Sequence, residues 1–398
     1  MVKCMKCNEY DIKTARDEIF DRLCVIWDET KNESDWKTDI WRKANTLQCV
    51  ARYFHSYRGV QSESARRAKA LTIMLEGYEF YVACKTQNFW VDDFGWWGGF
   101  FMDLYDYVPT ESGLPTIFQQ ANLAVETEYA YKRMLENCDK EYGGIWNASD
   151  VNEPAREKNT VTNAWALRLA ASMAYLRPED PQYLQFANEQ YQWLTTGIYN
   201  GRKPDNWALY NQNLLIYWTP KGPNNAGPKH VPGNEDALWS GNEGVLLEAF
   251  SVYAARFDEG RRQQILRQTD KLIEASVTNS TPNSFVDSQD VCHESPIAAD
   301  WSNDLATGKG VMLRLLFDFA RRHNLLIEPL KNCIYATAQS VWCSQEMKGK
   351  SNAQVVRNWN PGFPPAEEND RQTRGLWPLV LQAGGLDALN SAYLLSLL

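Results

Sequence analysis

Two aspartates stand side by side in "NFWVDDFGWWGGFFMDLYDY", residues 88–107. Asp92 and Asp93 head a run of aromatics and glycines, and adjacent like charges repel. The pairing makes chemical sense if a sugar sits between the two carboxylates. Adjacent side chains on a helix diverge by about 100°, so neighbours at a helix start can meet one ligand from two angles. Retaining glycosidases hold their two carboxyls roughly 5–5.5 Å apart. One attacks the anomeric carbon; the other protonates the leaving oxygen and then activates water. Repulsion and the aromatic surround favour keeping one of them protonated as the acid. A plainer reading has the aspartates cap a helix and complement its dipole, with Trp96 and Trp97 as core.

Other catalytic templates are missing: there is no GxSxG, HExxH, phosphate loop or GxGxxG, and only four histidines, His55, His230, His293 and His323. No metal or cofactor is expected. Nine cysteines are scattered, with one CxxC at Cys4 and Cys7. A reduced, mostly buried set of thiols is the expectation. The net charge of −9 argues against a nucleic-acid partner, which needs a basic stripe, and the densest basic stretch, "RRAKA" at 66–70, is brief. No apolar run reaches membrane-spanning length, and the first residues lack an apolar signal core. A cytoplasmic location is expected for the chain as written, a secreted one if a signal was removed. The aromatic count, with 16 Trp, 19 Tyr and 15 Phe, exceeds what core packing demands and points to an oligosaccharide or polysaccharide partner.

The elements that must position these groups read as helices. Apolar residues recur at steps of three or four, as in Trp41, Ala44, Leu47, Ala51 and Phe54, or Val311, Leu315 and Phe319. Breaker-rich loops carrying Trp, Asn, Asp and Gly separate them. Strand alternation does not recur. The prediction is about a dozen helices in one all-α domain over 1–398, with helical hairpins closing into a toroid.

An ordered series of motifs resembles glycoside hydrolase family 76, the endo-α-1,6-mannanases, which implies an (α/α)₆ barrel. "WVDDFGWWGGFFMDLY" resembles the family's Asp-Asp and Trp pair. "EYGGIW" and "KNTVTN" resemble its Gly-Gly turn and its Lys-Asn helix. "TGKGVMLRLLFDFA" and "QAGGLDALNSA" are similar to its later helices. The resemblance implies Asp92 as nucleophile and Asp93 as general acid/base. It also implies Trp96 and Trp97 as sugar platform or its backing, with Trp146, Asn159, Asn163 and Tyr210 as further sugar contacts. The chain departs from the family at Asn242-Glu243-Gly244, where the family has Asn-Gln-Gly, and at Asn200-Gly201, where it has Asp-Gly. Compensation between Asn200 and Glu243 across a cleft is one expectation. A glycan-binding protein without catalysis, a 2-epimerase and an unsaturated-uronide hydrolase are the alternatives.

Overall fold

Long segments with three- and four-residue apolar spacing fold as helices of 15–21 residues. The computed structural model describes residues 11–31, 40–87, 90–107, 114–227, 237–282, 284–294, 308–347, 355, 359 and 377–398. Cys4 and Cys7 lie outside these residues. Among the described residues there are twelve α-helices and one two-stranded sheet. None of these helices is long and apolar enough to cross a membrane.

The chain divides into two compact units, one of residues 1–82 and 274–398, the other of residues 83–273. The first holds α1 (Ile12–Thr30), α2 (Ile40–Ser56), α10 (Gly308–His323), α11 (Glu328–Met347) and α12 (Trp377–Ser396), and most of α3 (Ser64–Cys84). Within it α1, α2, α10 and α11 all pack on α12. Two of the motifs noted above meet here. Arg314 of α10 and Asp387 of α12 pair at 2.6 Å with both side chains fully buried. Arg314 also donates to Asn45 Oδ1 at 2.7 Å and to Gln48 Oε1 at 2.9 Å. Burial pushes Asp387 up to about 6 against the pull of Arg314 and Arg52. Cys24, Cys49, Cys84, Cys292 and Cys333 are buried free thiols, and Cys138 is half-buried. Cys343 departs from the expected reduced set: it is disulfide-bonded.

The second unit holds α4 (Val91–Tyr107), α5 (Gln120–Leu135), α6 (Thr160–Leu176), α7 (Pro181–Thr196) and α8 (Ser240–Ala254), and most of α9 (Glu259–Val277). Its core is α6, which packs on α4, α5, α7 and α8. The glycines of the "FGWWGG" run explain the close approach of α4 to α6. A Cβ built on Gly95 would lie 2.4 Å from Trp165 Cβ, and one on Gly98 would lie 2.6 Å from a Leu169 methyl. Even one added methylene in such a seam typically costs 1–3 kcal/mol. Where the sequence shows no strand alternation, residues 208–221 form an antiparallel hairpin of β1 (Ala208–Tyr210) and β2 (Ile216–Lys221), packed on α6, α7 and α8.

Candidate active site

Asp92 and Asp93 occupy the first turn of α4, where the helix dipole favours acidic side chains. Asp92 is half-buried and Asp93 is 4% exposed. A helix leaves its first amides without intrahelical acceptors. In α4 main-chain carbonyls take two of them: Val91 N–H donates to Asn147 O at 2.8 Å, and Asp93 N–H to Trp90 O at 3.1 Å. Trp90 itself is 43% exposed, an indole at the surface two residues before the acid pair.

The loop that supplies Asn147 O runs from the end of α5 to the start of α6. Gly143 and Gly144, with φ of +74° and +75°, make its turn. A Cβ on Gly144 would lie 2.4 Å from the Trp193 ring, so the turn also needs glycine for space. Trp146 follows and is half-buried. Cations lie over its ring: Arg156 at 4.3 Å and Lys158 at 4.6 Å from the centroid. Lys158 is fully buried and pairs with Asp139 at 2.7 Å. Burial pushes the Lys158 ammonium below its ordinary value, and the Asp139 carboxylate only partly restores it. Burial also raises Asp139, but Lys158 and the amides of Tyr142 and Glu141 outweigh it and hold that carboxyl low.

The same loop is bonded onward to the hairpin and to the heads of α6 and α8. Lys158 N–H donates to Asn225 O at 2.8 Å, and Thr160 Oγ1 to Tyr217 O at 2.7 Å. Glu157 accepts from Trp218 Nε1 and, at 2.7 Å, from Thr219 Oγ1. Trp218 N–H donates to Ala237 O at 2.8 Å, just before α8. Hydrogen bonds through this loop and hairpin therefore link the first turns of α4, α6 and α8. Half-exposed Trp146, Tyr210, Tyr217 and Trp218 lie along this region.

The residues expected to touch sugar divide sharply here. Trp96 and Trp97 are 1% and 0% exposed, and Trp96 meets Trp165 edge-on with centroids 5.0 Å apart. They back the acid turn and offer no open platform. Asn159 caps α6, its Oδ1 accepting from Thr162 N–H at 3.0 Å. Asn163, wholly buried, braces the turn: its Oδ1 accepts from Ile145 N–H at 2.8 Å and from Gln190 Nε2 at 2.8 Å. Both asparagines are engaged within the protein, Asn159 with the main chain of α6 and Asn163 with Ile145 and Gln190. Asn242 is wholly buried and donates to Tyr217 O at 3.3 Å. Glu243 is equally buried and accepts from Ile216 N–H at 2.7 Å. Asn200 is exposed at a turn with φ of +50°. Asn200 thus stands at an exposed turn, while Glu243 is buried beneath the hairpin as an acceptor for its main chain. Sequence reasoning passed over Trp90, Asn147 and Trp218. Only the aromatic richness of the loops hinted at Trp90 and Trp218, and nothing singled out Asn147.

The model of glycosyl hydrolase family 76 matches residues 11–390. The chain belongs to glycosyl hydrolase family 76. Family 76 chains of known structure share its fold. An α-1,6-mannanase of Salegentibacter sp. HEL1_6 is 16% identical, with 97% of this chain and 100% of that one covered and a TM-score of 0.68. It has also been solved as an inactive variant, two consecutive aspartates changed to asparagine, in complex with α-1,6-mannotriose. A family 76 α-mannanase of Bacteroides thetaiotaomicron is 14% identical, covering 97% of this chain and 98% of that one, with a TM-score of 0.62. Dfg5 of Chaetomium thermophilum, in complex with glucosamine, is 15% identical, covering 99% and 93%, with a TM-score of 0.67. A search of curated proteins finds no match. The family 76 fold class is all-α, the six-hairpin (α/α)₆ architecture expected from the motifs. Family membership makes the chain a glycoside hydrolase.

Proposed function

We propose that this family 76 chain is a retaining glycosidase that cleaves α-mannosidic linkages, of the α-1,6-mannan type, with Asp92 as nucleophile and Asp93 as general acid/base. The observation that carries the reading is the adjacent acid pair in the first turn of α4, one member half-buried and one buried. A buried carboxyl favours the neutral form that an acid catalyst needs, while the more open one suits a nucleophile. The inactive Salegentibacter mannanase variant, altered at two consecutive aspartates, supports giving the pair this role. Trp90, Trp146 and Trp218 offer the accessible indole surface on which sugar rings stack.

Asp92→Asn and Asp93→Asn, assayed on α-1,6-mannooligosaccharides, test the proposal. Each should lower turnover by about 10²–10⁴-fold while oligosaccharide affinity stays within a few-fold. The first-formed product should have the α configuration. Either variant turning over at the wild-type rate would sink the reading; an inverted product would sink the double-displacement mechanism. A glycan-binding protein without catalysis would show no turnover at any stage.

A further inference from the structure

We infer that Asn147 is a positioning residue for the acid pair, an assignment that rests on the glycosidase reading of Asp92 and Asp93. Asn147 is 4% exposed, and four hydrogen bonds engage it. Its Oδ1 accepts from Glu157 N–H at 2.8 Å, and its Nδ2 donates to Ala155 O at 3.1 Å. Its own N–H donates to Glu157 O at 2.9 Å, and its carbonyl receives Val91 N–H at 2.8 Å. The side chain therefore closes the loop between residues 147 and 157, and the closed loop aims the Asn147 carbonyl at the head of α4.

The consequence concerns which acceptor serves the first turn. A helix start with unmet amides recruits the nearest oxygen, and aspartate side chains are among the best recruits. Because Asn147 O and Trp90 O meet the Val91 and Asp93 amides, those two amides make no demand on the carboxylates beside them. Without the Asn147 side chain the Glu157 amide and the Ala155 carbonyl lose their partner, and the loop relaxes. Val91 N–H then loses a buried acceptor and competes, in a weaker and more solvent-open bond, for a carboxylate of its own turn, drawing it away from the glycosidic bond. Asn147 touches neither substrate nor reacting atom in this scheme; it acts through the loop carbonyl.

Asn147→Ala is the direct test. Measured per folded enzyme on an α-1,6-mannooligosaccharide, kcat should fall about 10–100-fold while KM stays within about twofold. Exchange of the Val91 amide with deuterium should speed up at least tenfold, with amides in the middle of α6 unchanged. If Asn147→Ala does not fold, Asn147→Asp, which keeps the acceptor for Glu157 N–H, should show the same changes at smaller size. A purely structural role would lower the melting temperature yet leave kcat per folded molecule untouched, and that result overturns the inference. Unchanged exchange at Val91 overturns it too, whatever the activity. A wild-type chain that cleaves no glycoside would instead sink the glycosidase reading, and with it the kinetic half of this role.

Discussion

Arg168 of α6 donates to Asp103 of α4 at 2.8 Å, and the same guanidinium lies 3.6 Å from Glu248 of α8. Glu248 is fully buried, and Arg168 is 5% exposed at its side chain. One cation thus ties together the three helices whose first turns carry the candidate site. Removing one partner of a buried ion pair strands charge in a poor solvent and costs about 3–5 kcal/mol. Arg168→Leu should lose about that much on chemical unfolding. A loss under about 1 kcal/mol would show that the cluster is not what holds α4, α6 and α8 together.

Glu243 stands where a glutamine is expected from the family pattern, and its Oε1 receives Ile216 N–H at 2.7 Å. An amide oxygen can accept that bond equally well. Glu243→Gln should therefore change unfolding stability by less than about 1 kcal/mol. Glu243→Ala leaves the Ile216 amide buried and unmet, which costs about 1–3 kcal/mol. Equal losses in the two variants would mean that the negative charge, not the acceptor, is what the site uses.

Asp139 and fully buried Lys158 form a pair whose value depends on pH. The folded Asp139 carboxyl sits below its ordinary value of 3.8. Its stabilising effect is complete above that value and is lost as pH falls through the lowered folded value, when the protonated acid abandons Lys158. Above pH 5, Asp139→Asn should be less stable than wild type by about 3–5 kcal/mol. The gap should narrow as pH falls below 3.8 and through the lowered folded value. Urea unfolding of both chains across pH 2–7 reads this directly, and a gap that widens in acid would refute the assignment.

Helices were legible in the sequence because burial writes a period of three to four residues into α2 and α10. Asp92 and Asp93 were legible as first-turn residues for the same electrostatic reason that makes them stable there. Depth was not legible. Trp96 and Trp97 carry the same side chain as exposed Trp90, and only the packing of α4 on α6 separates them. The spacing of Gly95 and Gly98 encoded that packing, since it marks a face pressed against Trp165 and Leu169. Asn159 and Asn163 share one helical face whether they bind hydroxyls or brace a turn, so spacing alone could not choose. The hairpin escaped because β1 has three residues, too few to show alternation.

Between the bonded anchors at Asn147 and Glu157, residues 149–152 and 154–155 are exposed. Both ends of this bulge are fastened by main-chain bonds, so its tip is mechanically insulated from α4. Extra residues spliced in near Val151, or a fluorophore attached there, would ride on the bulge without disturbing the first turn of α4. The exposed bulge can thus vary in length and sequence while the first turn of α4 stays in register.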